Sequence, residues 1–121
     1  MTDTTIIPPT IGRKVWYWPS DYDKHLHLDY HPGFLHTAIE AADPQQACDA
    51  TVVYVHSDRC VNLHVIDHNG NVHKRCSVQL AQPGDTVPDA GGYAEWMPFQ
   101  VGQARAAQPA VVLTDADAAA V

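Results

Sequence analysis

Hydrophobic and polar positions alternate along much of this chain, and the alternation is cleanest between residues 51 and 80. There "TVVYVHS", "CVNLHVID" and "NVHKRCSVQL" follow one another as three runs rich in β-branched and aromatic residues. Successive side chains of an extended strand point to opposite faces, so each run predicts a strand with one apolar face. Asn69-Gly70 separates the last two runs and favours a two-residue type I′ hairpin, whose central residues both need positive φ. That turn sets Val61 opposite Val78, Leu63 opposite Cys76 and Val65 opposite Lys74. The other face then carries Asn62, His64, Ile66, His68, His73, Arg75 and Ser77.

The flanks are patterned less strongly. "IGRKVWYWP", residues 11–19, is dense in β-formers and is closed by Pro19, which predicts a first strand. Residues 24–31 alternate strictly and predict an extended segment with His25, His27, Asp29 and His31 on one face. "LHTAIEAA" reads as a further short strand and "DPQQACD" as a loop. After Leu80, Pro and Gly occur at loop frequency until the cluster Tyr93, Trp96 and Phe99. No amphipathic helix longer than two turns is evident. The expected organisation is a flexible lead over 1–10, one domain over 11–103 with a His-rich insertion at 22–33, and an Ala-rich tail over 104–121. "AVVL" in that tail offers one more edge strand. Short strands with loop punctuation and little helix predict an all-β fold, a small barrel built on an antiparallel meander. Closure would remove most of the edges that so short a sheet exposes.

Composition narrows the partners. A chain of 121 residues makes one domain with a modest core, and 45% hydrophobic content argues against wholesale disorder. Seven basic residues against fourteen acidic ones give a net charge of −7, too few cations for a phosphate-neutralising patch. Non-specific nucleic-acid binding is therefore not expected; a basic protein partner or a small ligand in a local pocket remains open. No apolar run approaches a membrane span, and the N-terminal residues do not read as a signal peptide. Three cysteines without a CxxC pair suit free thiols in a reducing cytosol.

The eight histidines raise the question of a metal. His64 and His68 are separated by about 13 Å along one strand, so they cannot share an ion, and His73 could pair with only one of them. Zinc sites take three or four protein ligands, so this cluster reads as sheet surface. His25, His27, Asp29 and His31 are the better candidates, neighbours lying about 6–7 Å apart, yet no second element supplies further ligands. The residues therefore give no metal site and no cofactor motif. Ser57, His56 and Asp58 are adjacent, but adjacent side chains on a strand diverge. No G-x-S-x-G, H-E-x-x-H or Walker motif is present, so the sequence carries no enzyme signature. Arg59 at a hairpin tip could bind a phosphate or carboxylate through its fork. "VWYWP" and "YAEWMPF" hold all three tryptophans, and their rings could stack on a base or a Pro-rich peptide.

"IGRKVWYWP", "VHSDRCVNLHVIDHNG" and "YAEWMPFQVGQ", in that order and spacing, resemble a family of small phage and prophage proteins with SH3-like β-barrels. The resemblance covers about 11–19 and 51–103, and excludes the His-rich segment and the tail. It implies a phage context and no family-wide activity; by analogy with other small phage accessory proteins, the expected role is action by occupancy in the host cytoplasm, as a counter-defence protein that sequesters a nucleotide-like immune signal or inhibits a host protein. A virion structural or assembly component is the alternative, and metal binding through the 25–31 segment a third. In the preferred case a homo-oligomer is expected. Arg59 and Arg13 would meet an anionic ligand, Trp16, Trp18 and Trp96 would stack, and Ser57, Asp58 and Asn62 would add polar contacts.

Overall fold

The computed structural model describes residues 5–25, 27–28, 35–36 and 38–107. Its strands are β1 (Lys14–Trp18), β2 (His27–Leu28), β3 (Leu35–His36), β4 (Cys48–Ser57), β5 (Cys60–Ile66), β6 (Val72–Ala81) and β7 (Tyr93–Glu95), followed by the helix α1 (Pro98–Ala107). Five of them close into a barrel in the order β1-β4-β5-β6-β7, while β2 and β3 form a separate two-stranded pair. The small all-β barrel expected from the alternation is thus the observed fold. β4, β5 and β6 are its antiparallel meander; β1 closes it by pairing antiparallel with both β4 and β7, and β7 runs parallel to β6. Val15, Tyr17, Val52, Val61, Leu63, Val65, Leu80 and Ala94 fill the interior, each from the inward face of its strand.

The β5–β6 register departs from the expected one. Gly70 N–H donates to the Asp67 carbonyl at 2.9 Å and Asp67 N–H to the Asn71 carbonyl at 2.9 Å, so the loop has three residues rather than two. Gly70 alone in it takes positive φ, at 87°, which makes the turn type I with a left-handed residue after it. The extra residue moves the pairing by one position: Leu63 faces Arg75 and Val65 faces His73. A one-residue slip turns a strand over, so His73 and Arg75 point into the barrel, not out of it. Both are buried, and Lys74 and Cys76 are exposed. A bulge then restores the expected pairing of Val61 with Val78. At the bulge Ser77 adopts φ 54°, and its N–H is satisfied by Asn62 Oδ1 at 2.7 Å.

Two further expectations are corrected. Residues 5–10 are not a free lead: Ile7 belongs to the core, and its N–H and C=O are both held by the Gln82 side chain at 2.9 and 3.0 Å. Gln82 Nε2 also donates to the Asp58 carbonyl at 2.7 Å, so one amide ties three segments together. Gln82→Ala is expected to cost about 1–2 kcal/mol, because it strands buried main-chain groups that water reaches only in part. Urea unfolding checks this, and a midpoint equal to that of the parent would refute it. The domain also continues past 103, since α1 runs to Ala107 and rests Val101 and Ala104 against the core. Just ahead of the alternating segment, Tyr22–Lys24 form a 3-10 turn, and within that segment His27–Leu28 is the strand β2. The "AVVL" segment, 110–113, lies outside the described residues.

Candidate functional site

Two regions gather the chemistry-bearing residues: a polar cluster inside the barrel and an aromatic face outside it. In the interior, Asp23 accepts hydrogen bonds from Tyr17 Oη at 2.6 Å, Ser20 N–H at 2.9 Å and Arg75 Nε at 2.8 Å. Burial works to raise this carboxyl, but the hydrogen bonds from Tyr17, Ser20 and Arg75 hold it below the usual range. Asp67 accepts from His73 Nε2 at 2.7 Å and from the N–H groups of Asn69, Asn71 and Glu40. Again burial is outweighed, and the carboxyl is held at about 2. Both carboxylates push the buried Cys48 thiol up, after burial itself, to about 11. Tyr17 is pushed well above its usual range, chiefly by burial and by its bond to Asp23. A reactive cysteine needs a depressed pKa, and a general base needs one near the working pH. At neutral pH the Cys48 thiol is thus held protonated and both carboxylates ionised, and the hydrogen bonds of Asp23 and Asp67 tie separate segments of the barrel together.

The exterior differs. On β1, burial alternates so that Val15 and Tyr17 face inward while Lys14, Trp16 and Trp18 face outward. Trp16 lies opposite Glu95, Trp18 opposite Tyr93, and on the other side Trp16 lies opposite Asp49. The two indoles meet edge to face, with centroids 6.3 Å apart and planes 85° apart. Trp18 Nε1 donates to Glu95 Oε2 at 2.6 Å, which fixes that ring. One cleft of about 230 Å3 is lined by Trp16, Trp18, Gln45, Gln46 and Ala47. A second, of about 250 Å3, is lined by Trp18 together with Pro19, Pro44, Pro88 and Tyr93. The second keeps its shape because Gly91 packs on β1: a Cβ there would sit 2.5 Å from the Pro19 carbonyl oxygen.

The residues nominated from sequence do not converge on one point. Ser57, Asp58 and Arg59 form the β4–β5 turn, where Ser57 Oγ accepts from Arg59 N–H. The Arg59 fork is already engaged, bonding both carboxylate oxygens of Asp85 at 2.8 and 3.1 Å. Asn62 is occupied by the bulge and by His56 Nε2. Trp96 is only 4% exposed, with the Arg13 guanidinium 5.3 Å above its ring, so this pair packs the barrel end. Trp16 and Trp18 are the nominated residues that share an open cleft. Of the weak metal candidates, His25 is exposed; the side chains of His27, Asp29 and His31 lie outside the described residues. Among the described residues no three His, Cys, Asp or Glu side chains are arranged to hold a metal ion. His73 turns inward to Asp67, away from His64. Nor is any helix among them long and apolar enough to cross a membrane.

The interior pairs and the clefts beside Trp18 were not expected from the sequence. Only the three-residue turn behind the inward His73 and Arg75 has a local signal: Asp67 and Gly70 occupy the first and fourth positions that a type I turn favours. Comparison with protein-family models, with curated proteins and with solved structures gives no match.

Proposed function

We propose that this protein is a non-enzymatic binding module that acts by occupancy, engaging a protein partner through the outer face of β7, β1 and β4. The carrying observation is the placement of Trp16, Trp18 and Tyr93 on that face, with Trp18 lining two clefts. Rigid aromatic side chains beside concave surface are what interfaces use as anchors. The charge around them favours a protein over the anionic nucleotide-like ligand expected from the resemblance. Asp21, Asp49, Asp89 and Glu95 border the face, against Lys14, itself paired with Asp49, and Lys24. In the phage setting the partner would be a host protein. A homo-oligomer is compatible with this reading, through the exposed Val53 and Tyr54 of β4.

The test is capture from bacterial lysate on immobilised protein, read by mass spectrometry and compared among variants. We expect a host protein retained by the parent and by Tyr54→Ala, and at least tenfold depleted on Trp18→Ala whose circular dichroism is unchanged. Equal retention by Trp18→Ala would remove this face as the site.

A further inference from the structure

From the geometry of the corner between Trp16 and Trp18, we infer that it receives an arginine side chain of the partner. The inference rests on the reading of this face as the binding surface. Two indoles set at 85° to one another line the same 230 Å3 cleft, a space that suits one planar group laid against one ring. The face of an indole carries negative quadrupole charge and attracts cations, guanidinium most of all, because it is flat and weakly hydrated.

Carboxylates complete the argument. The loop that forms the floor is organised by Asp43, whose oxygens accept from Gln45 N–H and Gln46 Nε2, each at 2.9 Å. Those bonds, the Gln45 N–H first, hold the Asp43 carboxyl below its usual range, so it is ionised at neutral pH. Asp49 lies opposite Trp16 on β4, two residues beyond Ala47 of the cleft lining, and Glu95 bonds the Trp18 indole from the other side. Asp49 and Glu95 thus flank Trp16 on its two neighbouring strands and Asp43 bonds the loop that lines the cleft, while the Lys14 ammonium is already held by Asp49 at 3.1 Å. An excess of negative charge beside two indole walls selects a cation with a flat, delocalised head. A carboxylate or phosphate would meet repulsion there, and a neutral aliphatic group would gain only apolar contact.

The experiment titrates the full chain with N-acetyl-arginine amide and, separately, with N-acetyl-citrulline amide, which keeps the shape and loses the charge. The readout is the indole N–H resonances in nuclear magnetic resonance spectra. We expect saturable shifts of the Trp16 and Trp18 signals with arginine, at least tenfold weaker binding of citrulline, and a Trp96 signal that stays in place. Asp43→Asn should weaken arginine binding several-fold without moving citrulline, and raising the salt should do the same. Equal binding of both amides, or shifts only at Trp96, would overturn the inference. Failure of the underlying reading is separate: if both amides leave Trp16 and Trp18 unmoved while Trp18→Ala still abolishes capture of the partner, the face stands and arginine recognition falls. If Trp18→Ala leaves capture intact, the face falls with it.

Discussion

Arg75→Ala should lower the unfolding free energy by about 3–5 kcal/mol, the range for stripping the partner from a buried charge. Arg75 is 8% exposed and its Nε bonds Asp23 Oδ1 at 2.8 Å, in a place where Asp23 itself is only 3% exposed. Without the guanidinium, Asp23 keeps the donors on its other oxygen, from Tyr17 and Ser20, but loses the cation that compensates its charge. The exposed pair of Lys14 with Asp49 has similar geometry, at 3.1 Å, and about half of each side chain meets solvent. Lys14→Ala should therefore cost no more than about 0.5 kcal/mol, since solvent screens such pairs and holding the lysine in one geometry costs entropy. Guanidinium unfolding of both variants at pH 7 makes the comparison, and equal losses would show that the interior pair is not acting as a buried one. A functional effect should follow. Asp23 anchors the chain just after Trp18 and Pro19, and its neighbours Asp21 and Lys24 line one of the clefts on the binding face.

That pair also shows what can be read from sequence and what cannot. Alternation in 51–80 was enough for the meander and the barrel, because a half-buried strand must put apolar residues on every second position. Along β1 the same period of two sends Trp16 and Trp18 outward and Val15 and Tyr17 inward. Register is a finer matter. Asn69-Gly70 suits a two-residue turn and equally a three-residue one, and the two differ by a single position along β6. The choice is made by the Asp67 carboxylate, which gathers the N–H groups of Asn69 and Asn71 and so closes the longer loop. Pattern alone favours the other register, since it would have kept His73 and Arg75 in water. They are tolerated inside because Asp67 waits for one and Asp23 for the other. Asp23 comes from a segment distant in sequence, and long-range pairing of this kind leaves no periodic trace. The clefts escaped for a similar reason: they form where the 43–47 loop and the 88–91 loop meet β1, and neither loop has a period to read.

Asp67→Asn should cost about 2 kcal/mol at pH 7, and the difference from the parent should shrink as the solution is acidified. The carboxyl is held at about 2 in the folded chain against an ordinary value of 3.8. A folded value below the unfolded one means that the ionised form favours folding. The stabilisation is complete above 3.8, and it drains away as pH falls through that value towards about 2, where the folded carboxyl also takes up its proton. The amide introduced by Asp67→Asn cannot ionise, so the variant's stability should lack this part of the acid limb. That amide can keep the bonds to Asn69 and Asn71 through its oxygen, but its NH2 group would face the Glu40 N–H, donor against donor. The loop should thus close in the same register and lose one of its bonds to the 38–40 segment, while His68 N–H still donates to the Glu40 carbonyl and Ile39 N–H to the Asp23 carbonyl. Unfolding midpoints of parent and variant at pH 7, 4 and 2.5 decide the matter. A constant gap across the three would mean that Asp67 acts through its shape and hydrogen bonds alone. A gap that narrows on the acid side assigns it to the ionised carboxylate, the same group that turns β6 over and brings His73 and Arg75 into the barrel.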